Sequence, residues 1–99
     1  EFNSTDILYI ESADNYCKVI FREKDKVKTV LLRSTLKRIE SMLNDRFFKC
    51  HRSYIVRTDK VVHVSGNSQG YRLHFEKWEE TVPVARGLGK ELREKIAGR

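Results

Sequence analysis

Residues 46–56, with the sequence RFFKCHRSYIV, combine the side chains most able to do chemistry: one cysteine, one histidine and three basic groups. Cys50 and His51 are adjacent, and adjacent side chains on a strand point to opposite faces. Zinc ligands are usually spaced as pairs roughly two to four residues apart, whereas the other cysteine and histidines of this chain are scattered. The pattern does not favour a metal site, and Cys50 is typical of a small buried hydrophobic residue.

Covalent catalysis is not indicated either. A cysteine nucleophile needs a histidine within hydrogen-bond reach and a third group that orients it, and no local signature surrounds either cysteine. The segment GLGKEL at 87–92 lacks the spacing of a phosphate-binding loop. The carboxylates of EKWEE at 76–80 fit a solvated turn better than an acid–base pair. The sequence therefore predicts no enzyme, no cofactor and no bound metal.

The charge of the chain leaves a polyanion as one class of partner. The net charge is +6 over 99 residues, which fits nucleic acid but also fits a plain solvated basic surface. Polar and basic residues gather where strands are predicted to end, and side chains at loop tips on a rigid β-frame can enter DNA grooves. These groups are Asn15 with Lys18, Lys49 with Arg52, Arg57 with Lys60, and Arg86 with Lys90.

Most elements that must position these residues are strands. Aromatic and β-branched residues alternate with polar ones through short runs separated by polar turns, which indicates β-hairpins. The predicted strands are 7–11, a hairpin over 15–33 with the turn EKDK, the stretch 46–56, VVHVSG, YRLHFE and TVPVA, with NSQG and KWEE as turns. Pro83 restricts the last strand to an edge or a bulge.

Two helices are predicted outside the strands. Ser34 or Thr35 can accept from free amides at a helix start, and the apolar spacing that follows predicts a helix over 35–43. Its apolar face would hold Leu36, Ile39, Met42 and Leu43, and a C-terminal helix would use Leu88, Leu92 and Ile96, with Gly98 after it. The helices do not alternate with the strands, so the chain is a mainly β domain over 6–97, preceded at 1–5 by a linker or a cloning remnant.

Four segments resemble the LytTR domain, the LytR/AgrA-type DNA-binding domain. They are DILYIESADNYCKV, LRSTLKRIESML, RFFKCHRSYIVRTDKVVHV and VPVARGLGKELREKI, in the order and spacing of that family. The resemblance implies elongated antiparallel β-sheets and a role as the output domain of a bacterial two-component response regulator, joined to an N-terminal receiver domain. It also implies binding to direct-repeat promoter DNA, with loops in successive major grooves, a contact in the minor groove between them, and bent DNA.

The resemblance also implies individual contacts. One base-reading loop would span 14–18, a second contact would fall at Arg52 after Cys50 and His51, and a third would fall at Arg86, at the start of the last helix. Lys and Ser side chains nearby would position the DNA through phosphates. The DNA-binding residues so implied are Asn15, Cys17, Lys18, Lys49, Arg52, Ser53, Arg86 and Lys90. Phe47 or Phe48, with Tyr54 and Ile55, would pack the core, and Cys50 and His51 would be structural.

The chain departs from the family pattern at several of these sites. The first loop reads ADNY without the frequent glycine, and Cys17 stands where some members use a histidine to read a base. Arg57 replaces a usual asparagine, and Ala85 replaces a serine that could contact phosphate. These changes affect the expected sequence specificity more than the expected fold.

Two other functions fit parts of the pattern. A protein-interaction module on the same fold would use an edge strand or the face of helix 35–43, and an RNA-binding β-domain would need exposed aromatic stacking platforms. No apolar run approaches the roughly 20 residues of a membrane span and no signal-peptide pattern is present, so a cytoplasmic protein is expected. Double-stranded DNA is the predicted partner, with DNA-assisted dimerisation on the repeats.

Overall fold

The computed structural model describes residues 6–97. The expectations for residues 1–5 and for Gly98 lie outside this range. Within it the chain forms eight strands, two α-helices and a short 3-10 helix at Thr58–Lys60. Their bounds are β1 Ile7–Ala13, β2 Tyr16–Glu23, β3 Lys26–Leu32, α1 Leu36–Glu40, β4 Phe47–His51, β5 Tyr54–Arg57, β6 Val61–Asn67, β7 Gly70–Phe75, β8 Trp78–Val84 and α2 Gly89–Ala97.

The strands form two antiparallel sheets, which confirms the mainly β prediction. The first sheet has the order β3-β2-β1-β5-β4 and the second has the order β6-β7-β8. Short turns join β1 to β2, β2 to β3, β4 to β5, β6 to β7 and β7 to β8, as expected for hairpins. Two of the predicted details differ. Residues 46–56 are divided by a turn at Arg52 and Ser53, and the turn predicted over KWEE lies instead at Glu76 and Lys77, because Trp78 already begins β8.

Two clusters of buried side chains make up the core. Strands alternate their side chains between faces, so each face of the first sheet carries its own cluster. Phe48 and Cys50 belong to the cluster that joins both sheets to α2, whereas Phe47 and Ile55 belong to the cluster under α1. Both phenylalanines are therefore core residues, and Tyr54 is half-buried at the edge of the first cluster.

Helix α1 is shorter than its apolar pattern predicts. Thr35 caps it, since its Oγ1 accepts from the Arg38 amide at 3.1 Å, as the sequence indicates. After Glu40 the chain tightens into i to i+3 bonds, including Met42 N–H to Ile39 O at 3.0 Å. Met42 consequently turns outward and is 71% exposed, so its assignment to the apolar helix face is wrong.

Arg57 is a buried structural residue and not part of a basic surface patch. It is only 5% exposed, its Nε donates to Asp59 Oδ1 at 2.6 Å, and its Nη2 donates to Asp59 Oδ2 at 3.1 Å. The guanidinium also lies 5.9 Å from the centre of the Phe47 ring. Arg46 adds a longer ion pair to Asp59 at 3.5 Å. Burial and pairing remove Arg57 from the set of side chains that could meet a partner.

A chain of aromatic rings connects the two sheets. Trp78 donates through Nε1 to the Tyr9 hydroxyl at 2.8 Å. The Tyr9 ring centre lies 5.2 Å from that of Phe75 and 6.1 Å from that of Tyr54. The Tyr54 and His51 rings pack edge to face, with their ring centres 5.6 Å apart. The turn that follows His51 is thus linked through packed rings to the core between the sheets.

Candidate nucleic-acid interface

Two hairpin turns meet at one end of the first sheet. Asp14 and Asn15 connect β1 to β2, and Arg52 and Ser53 connect β4 to β5. Because β1 and β5 are antiparallel neighbours, both turns lie at the same end of their strands. The Ser12 amide donates to the Ser53 carbonyl at 2.8 Å, which fixes the two turns side by side.

The connection between β8 and α2 lies at the same end of the molecule, beside β4. The Ala85 amide donates to the Cys50 carbonyl at 2.8 Å, and the Leu88 amide donates to the Ala85 carbonyl at 3.2 Å. Gly87 has a φ of +88°, the left-handed value that the third position of a type II turn requires. Arg86 therefore projects from a β-turn beside β4. It does not begin the helix as the sequence suggested, since α2 starts at Gly89.

The three turns follow one another along this end of the molecule. The order is the β1–β2 turn, then the β4–β5 turn, then the β8–α2 connection. Neighbouring strands lie about 4.8 Å apart, so each turn is roughly 10 Å from the next and the row spans roughly 20 Å. The Arg52–Ser53 turn is the middle one.

Most of the predicted DNA-binding residues reach the surface near this end. Ser53 is half-buried in its turn. Lys18 lies directly opposite Glu11 in the pairing of β1 with β2, so a carboxylate accompanies it on the same face of the sheet. The exposed members of the predicted set are Asn15, Lys18, Arg52, Arg86 and Lys90.

Cys17 does not lie on this surface. It is 1% exposed, packs in the cluster under α1, and its Sγ donates to the Ser34 carbonyl at 3.4 Å. Burial raises the pKa of its thiol above the ordinary value. The alternation of side chains along β2 sends Cys17 inward while Tyr16 and Lys18 face out, so Cys17 does not belong to the surface that a base contact requires.

Lys49 is also set apart from the turns. It is half-buried on β4 and lines a groove between that strand and the two helices. Glu40 and Glu91 line the same groove, together with Lys95. Negative charges in the same groove lower the positive potential that Lys49 can offer to a phosphate. The structure thus separates Lys49 from the exposed arginines with which the sequence grouped it.

Arg33 is an exposed basic residue at this end that sequence reasoning missed. It follows the last residue of β3, and Leu32 pairs with Cys17 near the start of β2. A residue just after the second strand of a hairpin lies beside the start of the first strand. The predicted hairpin over 15–33 therefore already indicates that Arg33 lies at this end of the sheet. Arg33 therefore adds a positive charge beside the β1–β2 turn.

His51 closes the middle turn. Its ring Nδ1 accepts the Ser53 amide at 3.1 Å. The turn itself consists of Arg52, which is exposed, and Ser53, which is half-buried. The middle turn is thus held both by the backbone bond from Ser12 and by a side chain of its own hairpin.

The described residues offer neither a metal site nor a membrane-spanning helix. Residues 6–97 hold no group of three or more histidine, cysteine, aspartate or glutamate side chains arranged to bind a metal ion. No helix in the same described part of the chain is long and apolar enough to cross a membrane.

Two antiparallel sheets bring three turns to one end of the domain, and two of these turns carry an exposed arginine, Arg52 and Arg86. This arrangement suits a β-sheet nucleic-acid-binding domain, and comparison with known proteins identifies the family. The model of the LytTr DNA-binding domain family matches residues 2–97, so the chain belongs to this family. The family is one of DNA-binding domains and not of enzymes.

A solved structure shares the fold. It is a LytTr DNA-binding domain from Bacillus cereus, assigned to a methyl-accepting/DNA response regulator. The two chains are 22% identical with a TM-score of 0.72, and the match covers 93% of this chain and 82% of the other. No curated protein sequence matches the chain.

Proposed function

We propose that this domain is the output module of a bacterial two-component response regulator and that it reads direct-repeat promoter sites in double-stranded DNA. Its membership of a DNA-binding family and the row of three turns support this proposal. In the full-length protein a receiver domain would precede it, and the protein would act in the cytoplasm. Two copies would dimerise weakly, with the assistance of adjacent repeats.

The order of the turns supports contact of each turn with a different groove of the DNA. The β1–β2 turn with Asn15 and the connection with Arg86 are the outer members, and Arg52 is between them. Outer turns suit successive major grooves, which lie about 34 Å apart, and the middle turn suits the minor groove between them. A row of roughly 20 Å is shorter than that repeat, so the DNA would bend towards the protein, at a cost of about 1–6 kcal/mol.

The roles of individual side chains follow from their chemistry. Arg86 on a rigid turn suits guanine, because the guanidinium fork matches O6 and N7 in the major groove. Arg52 suits the negative potential of a narrow minor groove. Asn15 and Lys18 would serve the first major groove, while Ser53 and Lys90 would contact phosphates. Arg33 would add a phosphate contact beside the first turn, and Cys17 is not part of this interface.

Fluorescence anisotropy on two labelled duplexes tests the proposal. One duplex is the promoter beside the protein's own gene, and the other is a shuffled version, each titrated across a salt series. Arg86→Ala should weaken specific binding by about 1–3 kcal/mol and relax one base position. Lys90→Ala should weaken binding to both duplexes alike and lower the salt slope by about one unit.

The first sheet offers a charge-matched control. Lys26 is exposed at the start of β3, next to the Lys24–Asp25 turn at the opposite end of the sheet. Lys26→Ala removes one positive charge without touching the three turns, so it should change affinity only through net charge. Equal losses in Lys26→Ala and Arg86→Ala would show that binding is a general effect of basicity, which would refute the assigned reading surface. No binding of the promoter at low salt would favour a protein-interaction module.

A further inference from the structure

The middle turn depends on the chemical state of one imidazole. The Ser53 amide can only donate, so the Nδ1 atom of His51 that accepts it at 3.1 Å must carry a lone pair. The neutral ring then has its proton on Nε2. The edge contact with Tyr54 at 5.6 Å orients the ring from the neighbouring strand. His51 is thus held in one tautomer, and its ring braces the turn that presents Arg52.

Two other turns in this chain use the same bond with a different acceptor. The Asn44 Oδ1 accepts the Arg46 amide at 2.9 Å, and the Asn67 Oδ1 accepts the Gln69 amide at 2.9 Å. In each case a side chain accepts from the amide two residues later, as His51 does. A carboxamide keeps its acceptor at any pH near neutrality, whereas an imidazole loses its acceptor when it binds a proton. Asparagine is therefore a close functional substitute for His51 in the neutral state.

We propose that His51 is a positioning residue for DNA binding: it sets the Arg52–Ser53 turn, and protonation of its ring releases that turn. This inference rests on the proposed function. Imidazolium carries N–H groups at both nitrogens, so the Ser53 amide would face another donor and the bond would be lost. Arg52 would then lose the fixed geometry that its contact with DNA requires, and affinity would fall in acid.

A change of this turn between about pH 6 and 8 would be due to a histidine. Carboxylates, phenols, ammonium and guanidinium groups ordinarily titrate well outside the range between about pH 6 and 8, whereas histidine titrates within it. Burial, with the neighbouring Glu11 charge, raises the pKa of Tyr54 further from that range. The charged or titratable groups on the elements around His51 include Glu11, Lys18, Lys49, Arg52, Tyr54 and Arg86. Arg72 and Glu80 of the second sheet act on Tyr54, which contacts the ring.

The test compares the wild-type domain with His51→Ala, His51→Asn and Arg52→Ala on the same promoter duplex at about pH 8 and about pH 6. At the higher pH, His51→Ala should bind about fivefold more weakly, the effect of one lost hydrogen bond, while His51→Asn should stay within about twofold of wild type. On acidification wild type should lose affinity relative to His51→Asn. The asparagine variant retains His63 and His74, so its pH profile corrects for their protonation.

Amide exchange measured by NMR on the free domain checks the turn itself. The Ser53 amide should be protected in wild type and in His51→Asn and should exchange faster in His51→Ala, with the other hairpins unchanged. If His51→Asn binds as weakly as His51→Ala, the positioning role is refuted. If wild type and His51→Asn share one pH profile, release of the turn by protonation is refuted. If Arg52→Ala binds like wild type, or if wild type does not bind the promoter, the proposed DNA-binding function of this turn is refuted. The inference about His51 is then refuted as well.

Discussion

The buried ion pair of Arg57 and Asp59 predicts a large stability loss in Asp59→Asn. The substitution removes a carboxylate that accepts two bonds from a side chain only 6% exposed. Removing one partner of a buried pair costs about 3–5 kcal/mol, because the other charge stays buried. Asp59 is itself 26% exposed, and the Arg57 guanidinium keeps its contact with the Phe47 ring, so the expected loss is about 2–3 kcal/mol.

The same pair predicts the acid dependence of stability. The hydrogen bond from Arg57 is the main cause that holds the pKa of Asp59 below its ordinary value. A carboxyl with a lowered pKa contributes stability that is fully present above the pKa of the unfolded chain, about 3.9, and is lost as pH falls through the folded-state pKa. Wild type should therefore lose more stability than Asp59→Asn below about pH 4, and their difference should shrink there.

Urea unfolding at neutral pH and in acid measures both effects, supported by thermal melts. A loss of 2–3 kcal/mol corresponds to a fall in Tm of roughly 10–20 °C for a domain of this size. Asp45→Asn is the matched control, since Asp45 is an exposed aspartate outside the pair. Unfolding free energies that agree within about 0.5 kcal/mol between Asp59→Asn and Asp45→Asn would refute the reasoning.

Three further changes test other parts of the fold. Tyr9→Phe leaves the Trp78 N–H without its 2.8 Å acceptor and should cost about 1–2 kcal/mol in urea unfolding, and a loss below about 0.3 kcal/mol would contradict the role of that bond. Lys24 and Asp25 have φ values of +50° and +70° in a hairpin turn, so the double change to Asn-Gly should raise the free energy of unfolding by about 1 kcal/mol, and a destabilised double variant would show that the turn has another conformation. Cys50 is 0% exposed, and burial raises the pKa of its thiol to about 12, so it should resist alkylation until the domain unfolds. Cys50→Ser should lower stability by about 1–3 kcal/mol before it changes recognition, and retained stability with lost DNA binding would overturn its structural role.

The sequence predicted the hairpins and the general class of fold because alternation and polar turns are local signals. The β1–β2–β3 segment shows this most clearly, since its strands alternate and its turns are polar. The turn at Arg52 and Ser53 carries no glycine, proline or asparagine. It depends on His51 accepting the Ser53 amide and on the Ser12 bond from another hairpin, which are contacts that no local pattern contains.

The candidate site was predicted less completely than the fold, because exposure depends on which face a neighbouring element covers. Cys17 was grouped with the first loop on the strength of resemblance, but α1 covers its face of the sheet. Arg57 was grouped with the surface cations, although the pairing with Asp59 buries it. Arg86 lies in a β-turn and not at the helix start that the sequence indicates, since the Gly87 turn comes before the helix. Tertiary packing decides each of these cases.

The aromatic chain gives the domain an intrinsic optical reporter. The protein has one tryptophan, so its tryptophan emission arises from a single place, the packing between the two sheets. Trp78 is bonded to Tyr9, whose ring packs against Tyr54, which in turn touches His51 at the middle turn. A shift in Trp78 emission on adding DNA would therefore show, without an added label, whether binding at the three turns changes the packing between the two sheets.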